Sequence, residues 1–212
     1  MTSPSLDVEL RLLADYDTII GVDEVGRGAL AGPVAVGAAA MNKQTITDVP
    51  VGLRDSKLIA ESKRDEIALK SAAWVNHAVG YSAVFEIEQN GITKALADAA
   101  TGAIAQLIQG KTIVLLDGSH NWLRDSGLSV DYHVQVKADR DCAIVSAAAL
   151  AAKVDRDNLM RLLHAKFPDY DWAGNKGYAS PSHIAAIQNL GPTPHHRLSW
   201  LTKILGEANS LF

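Results

Sequence analysis

Three carboxylates in this 212-residue chain stand at the ends of predicted strands: Asp23 after IIGV, Asp117 after TIVLL and Asp139 after HVQVKA. A strand holds its backbone rigidly, so an acid at its end is preorganised for metal ligation. Neighbouring strand ends also bring together residues far apart in sequence. Acids end strands simply by preferring water as well, so no one of the three is decisive alone. Glu24, next to Asp23, adds a fourth carboxylate. Adjacent strand residues point to opposite faces, so both can serve one centre only if the strand ends or bulges there. Gly26 and Gly28 make such a departure plausible. Oxygen-only donors suit Mg²⁺ or Mn²⁺. Zinc fits poorly, because there is no HExxH pattern and only one cysteine, Cys142. Seven histidines are scattered apart from His195-His196, which also reads as a surface turn.

Gly26-Arg27-Gly28, with Gly32-Pro33 beyond it, has the composition of a loop that exposes backbone amides to a ligand. A tight hairpin turn is the other reading. Arg27, Lys57, Lys137, Lys153 and Lys176 are the cations available to phosphates near such a centre. Lys153 and Asp157, four apart on a helix, also read as a surface ion pair, and Arg156 as structural. Tyr178 lies in the glycine-flanked GNKGYASPSH segment, where a ring suits stacking on a sugar or base; a satisfied core tyrosine is the alternative.

The elements that must position these residues read as follows. Residues 6–16 form a short amphipathic helix and Thr18 to Val22 a strand, with a second strand from Pro33 to Met41. A polar connection covers 42–60. A helix is predicted from Glu61 through ESKRDEIALKSAAWVNHA, with a capping box at Ser62 and Asp65. Val79 to Ile87 alternates as a third strand, Ile92 opens a helix, and Lys111 to Leu116 is a buried strand stopping at Asp117-Gly118. Tyr132 to Val136 gives a fifth strand, and Asp141 to Lys166 a long alanine-rich helix. SHIAAIQNL and LSWLTKILGEA add helical pieces at the C-terminal end. This succession predicts an α/β fold, a mixed sheet covered by helices. Residues 1–212 read as one domain, of which about 166–212 is a helical C-terminal portion.

Composition sets the outer limits. At 22.6 kDa a folded chain buries roughly 70% of its extended surface, so no staple is needed. A hydrophobic fraction of 48% against 21% charged excludes extensive disorder. The acidic N-terminal stretch lacks the apolar run of a secretion signal, and no run is long enough to span a membrane. The cytoplasm, no membrane association and a monomer are the default expectations. A formal charge of −4 argues mildly against a polyanion binder, unless carboxylates gathered around cations reverse the local sign.

Taken together, GVDEVGRGALAGPV at 21–34, LRDSKLIAESKR at 53–64, LLDG at 115–118, KADRDCAIVSAAALAAKVDRD at 137–157, NKGYASPSH at 175–183 and HHRLSW at 195–200 closely resemble the bacterial type 2 ribonuclease H family, ribonuclease HII. The pieces stand in the family order and cover nearly the whole chain. The resemblance implies a ribonuclease H-like fold: a mixed β-sheet flanked by helices, with a helical C-terminal extension contributing substrate contacts. It implies hydrolysis of the RNA strand of RNA/DNA hybrids and nicking 5' of ribonucleotides embedded in duplex DNA, leaving 3'-hydroxyl and 5'-phosphate ends. Asp23, Glu24, Asp117 and Asp139 are the implied catalytic and metal-binding residues for two Mg²⁺ or Mn²⁺ ions, with Asp23 shared. Gly26, Arg27, Gly28 and Tyr178 are the implied substrate contacts, and Lys57 and Lys176, from the cations named above, complete the expected substrate-binding set. The glycines and Arg27 would inspect the ribose 2'-hydroxyl through backbone groups, and Tyr178 would stack on the following deoxyribose. One departure bears on loop rigidity: GYAS stands where the family commonly has GYPT. SAAAL for SAASI and HRLSW for HRxSF keep residue size or aromatic character.

Overall fold

Alternation along the strands decides the architecture. The computed structural model describes residues 3–46 and 49–206. Helix α1 (Asp7–Leu12) precedes β1 (Thr18–Val25) and β2 (Val34–Asn42). Then come α2 (Glu61–Trp74), β3 (Asn76–Ser82), α3 (Val84–Asn90) and α4 (Ile92–Ala105). Strands β4 (Thr112–Asp117) and β5 (Asp131–Gln135) lead into a one-turn helix, α5 (Ala138–Asp141), and the long α6 (Ala143–Lys166). The C-terminal portion carries α7 (Trp172–Asn175), α8 (Pro181–Leu190) and α9 (Thr202–Leu205). The strands form one mixed sheet in the order β3-β2-β1-β4-β5. β1 pairs antiparallel with β2 and parallel with β4, as the α/β reading requires.

On one face Ile19, Met41, Ile113 and Leu115 pack with Ile144, Val145 and Ala148 of α6. On the other, Ile20, Val22, Val36, Val114 and Leu116 meet Leu96, Ala99 and Ala103 of α4. Each fully buried aliphatic side chain contributes about 1.5–3 kcal/mol. Alanines and two glycines let α6 lie close to the sheet: a Cβ on Gly21 would come within 2.6 Å of the Ile144 backbone, and one on Gly37 within 2.1 Å of the Ala148 carbonyl. A third cluster, with Leu30, Ala31, Met160, Trp172 and Ile187, joins the C-terminal portion to the loop after β1.

Several expectations need correction. The predicted helix from Glu61 stops at Trp74, because Asn76, His77 and Ala78 are drawn into backbone pairing with Ala40, Ala39 and Ala38 of β2. The predicted strand 79–87 therefore begins earlier and ends at Ser82. Residues 84–90 are helical, with the Glu86 carboxylate accepting the Ala83 N–H at 2.6 Å and Ile87 buried. Ser62 and Asp65 form no capping box; Ala60 is the N-cap, with no side-chain bond. Lys153 and Asp157 pair at 2.6 Å nearly out of solvent, so theirs is not a surface ion pair. His196 is likewise buried, not part of a surface turn. The end of the LSWLTKILGEA helix, from residue 207, lies outside the described residues. Among the described residues no helix is long and apolar enough to cross a membrane.

Candidate active site

The parallel register of β1 and β4 pairs Val22 with Leu116. One step further, Asp23 and Asp117 stand at neighbouring strand positions. β4 ends at Asp117, while β1 continues to Val25 in unbroken antiparallel register with β2, Asp23 opposite Gly37 and Glu24 opposite Val36. The bulge anticipated near Glu24 is therefore absent. The β4-facing edge of β1 is instead left open from Asp23 onward, and both acids border that opening. Asp23 Oδ1 accepts the Glu24 N–H at 2.9 Å, whereas Glu24 Oε1 lies 3.3 Å from the Arg27 guanidinium.

Asp139 does not end a strand. Lys137 adopts a left-handed conformation at φ 64°, turning the chain into α5, and Asp139 occupies that helix's first turn. Asp117 caps the turn, its Oδ1 accepting the Ala138 N–H at 2.7 Å. Ser146 Oγ holds the Asp139 carbonyl at 2.7 Å. The Asp139 carboxylate faces Lys57 Nζ at 3.2 Å. Lys57 is delivered by a short 3₁₀ turn, Ser56–Leu58, capped by Asp55.

Charge couples these groups. Burial, then the charges of Glu24, Asp139 and Asp117, hold the Asp23 carboxyl well above the ordinary carboxylate range. Burial and the charge of Asp139 also raise Asp117, against the Ala138 and Asp139 N–H groups and Lys57. Burial alone would lower Lys57, but its bond to Asp139 and the charges of Asp139, Asp23 and Asp55 raise it. Such a group of acids is costly without a cation. Among the described residues no three His, Cys, Asp or Glu side chains already converge as a metal cage; Lys57 and Arg27 neutralise two of the four acids. In donor chemistry and mutual charge the residues fit hard divalent ions.

Next to the acids, Gly26 has φ +81° and Gly28 has open space above it. A Cβ on Gly26 would fall 2.1 Å from Arg156 Nε. The Gly26 N–H donates to Tyr178 Oη at 3.1 Å, which joins the two predicted substrate elements. Tyr178 is 37% exposed, so it is not a core tyrosine, and the Arg156 guanidinium lies 5.7 Å from its ring centroid. Lys176 is different: its ammonium is buried, bonded to the Ala173 carbonyl and to Glu61 Oε1 at 3.0 Å. The structure thus brings Asp23, Asp117, Asp139 and Lys57 together, sets Glu24, Gly26, Arg27, Gly28 and Tyr178 beside them, and turns the Lys176 side chain inward.

Sequence reasoning missed the residues beneath this surface. Arg197 is wholly buried and donates to the Gly26, Arg27 and Gly32 carbonyls. His183 donates through Nδ1 to the Tyr178 carbonyl at 2.9 Å, and its Nε2 accepts the Trp172 indole N–H at 3.0 Å. Bonds to backbone oxygens impose no residue type on the partner, so only the place of HHRLSW in the family resemblance pointed towards Arg197.

Comparison with known proteins bears on the whole arrangement. The family model for Ribonuclease HII matches residues 20–203. The chain is 42% identical to Ribonuclease HII of Streptomyces coelicolor over 92% of its own length and 82% of the relative. It is 35% identical to that of Orientia tsutsugamushi strain Boryong over 95% and 93%. Its fold is similar to that of ribonuclease H2 from Pyrococcus horikoshii OT3, with a TM-score of 0.75 at 24% identity, covering 89% of this chain and 97% of the other. It also matches Bst-RNase HIII in complex with Mn²⁺, with a TM-score of 0.72 at 21% identity over 89% and 68%. Family model, relatives and fold agree: the chain belongs to the ribonuclease HII family and is a type 2 ribonuclease H.

Proposed function

We propose that the enzyme hydrolyses the RNA strand of RNA/DNA hybrids and also nicks duplex DNA on the 5' side of an embedded ribonucleotide. The observation that carries this reading is a juxtaposition. Three acids at one open sheet end, with a fourth on the neighbouring one-turn helix, adjoin a loop with exposed peptide groups and a half-exposed tyrosine bonded to that loop. Asp23, Glu24, Asp117 and Asp139 would hold Mg²⁺ or Mn²⁺, which when bound supply Lewis acidity at the phosphate and an activated water. A neighbour of the same fold is described with Mn²⁺.

The chain's own residues do the rest. Asp117 keeps α5, and so Asp139, in place. Lys57, exposed beside Asp139, lies where a phosphate can meet its ammonium. Peptide groups of Gly26 to Gly28 supply selection, because strands that share phosphates differ at the ribose hydroxyl. A site built to bond a hydroxyl rejects the analogue lacking it by several kcal/mol. Tyr178 offers its ring to the sugar that follows. Lys176, bonded to Glu61, anchors the tyrosine loop and leaves phosphates to Lys57 and Arg27.

A panel of a hybrid, a duplex with one ribonucleotide and a four-way junction, each with Mg²⁺ and with EDTA, tests this. Cleavage of the first two alone, abolished by EDTA, is expected. Cleavage of the junction, or activity that survives chelation, would contradict it.

A further inference from the structure

Two arginines lie buried beneath the loop after β1, and among the described residues no ion pair neutralises either one. Arg156 of α6 donates to the Ala31, Pro33 and Lys176 carbonyls. Arg197 donates to Gly26 O at 2.7 Å, Arg27 O at 2.8 Å and Gly32 O at 3.1 Å. Its backbone also donates to Leu30 O at 2.8 Å, and the Trp200 ring covers its guanidinium at 4.7 Å. Burying a cation costs several kcal/mol before its partners offset it. Here burial, then the neighbouring charge of Arg156, bring Arg197 down to about 10. A cation kept in so unfavourable a place, with every side-chain bond going to one loop, fixes that loop's peptide planes.

The direction in which it fixes them has a consequence. All peptides are trans among the described residues, so each N–H points away from the carbonyl of its own plane. Drawing the Gly26 and Arg27 carbonyls onto the buried guanidinium turns the Arg27 and Gly28 N–H groups the other way, towards solvent. Arg27 and Gly28 are exposed, neither N–H has an acceptor among the described residues, and Gly28 has nothing within 4 Å of a Cβ position. A cation on the carbonyl also polarises the peptide, strengthening the outward donor. We infer that Arg197 is a positioning residue for ribose selection, aiming the Arg27 and Gly28 amides at the 2'-hydroxyl without touching the substrate.

Because this rests on the ribose reading proposed above, the test must separate the two. Binding of an Asp23→Asn parent is compared on two duplexes that differ by a single 2'-hydroxyl, by fluorescence anisotropy in metal-free buffer. The parent should prefer the ribonucleotide duplex. Adding Arg197→Lys, which keeps the charge but loses the fork, should cut that preference at least about fivefold, the value of one well-directed hydrogen bond. Affinity for the all-DNA duplex should change less than about twofold, since phosphate contacts remain. Trp200→Leu, which uncovers the guanidinium, should lower the preference in the same direction, and it carries the test if Arg197→Lys lacks a cooperative melt. Equal losses on both duplexes, or an unchanged preference, overturn the assignment to Arg197 and leave the ribose reading standing. A parent with no preference overturns both.

Discussion

Replacing Asp23 with asparagine should separate stability from chemistry. Burial and three neighbouring acids raise its carboxyl, so the folded state holds the proton more tightly than the unfolded chain. Stability contributed by protonated Asp23 is therefore present at acid pH and lost as pH rises through the raised folded value. At neutral pH without metal, Asp23→Asn should melt higher than the parent by about 2 °C or more. Turnover should fall at least about a thousandfold, while duplex binding persists. A lower melting temperature would deny the like-charge strain. Tyr178→Ala should remove about 1–3 kcal/mol of stacking from cleavage at single ribonucleotides and less from continuous hybrids; equal losses in kcat/KM would remove Tyr178 from junction reading. The candidate site was legible at this scale where an acid closes an apolar strand, as at Asp23 and Asp117. It was misleading at Lys176, because nothing in a lone lysine tells whether its ammonium turns out to a phosphate or in to Glu61.

Among the elements, α6 has the most at stake, since it follows directly on the turn that carries Asp139. Its first turn is held from another helix: Glu9 of α1, fully buried, accepts the Ile144 N–H at 3.0 Å through Oε1, while Oε2 has no hydrogen-bond partner among the described residues. Burial raises this carboxyl, against the Ile144 N–H, so its charge is a cost at neutral pH. Glu9→Gln, which keeps an acceptor and loses the charge, should be at least as stable as the parent in chemical denaturation. Glu9→Ala, which orphans a buried donor, should lose about 1–3 kcal/mol. If the two variants unfold alike, the cap is not what matters. Neither Glu9 nor the boundary at Ser82 was legible beforehand. Glu9 looks like any polar residue of a short amphipathic helix, and the alternation of Val79 to Ile87 continues through a point where the chain leaves the sheet. Strands β1, β2 and β4 were readable because their apolar runs are bounded by charge or glycine, and α4 and α6 because of their length.

For the molecule as a whole, a net charge of −4 coexists with a site whose partners are polyanions. Local arrangement resolves the conflict: the acids are collected where divalent ions can reverse their sign, and two buried arginines lie under the adjoining loop. Mg²⁺ or Mn²⁺ at 100 times its dissociation constant should then stabilise the fold by about 2.7 kcal/mol, read as a melting shift of about 5 °C or more that Asp23→Asn largely loses. The mixed sheet with helices on both faces was foreseeable from the order of elements, and the helical C-terminal portion from its composition. Its docking through Arg197 and the cluster around Trp172 was not, because that packing joins residues more than a hundred positions apart. The most direct test of the central claim is the position of the cut in a DNA duplex carrying one ribonucleotide, with Mg²⁺ present. A single nick on its 5' side, leaving 3'-hydroxyl and 5'-phosphate ends and absent from the matching all-DNA duplex, is the predicted result. No nick, or the same nick in both duplexes, would contradict it.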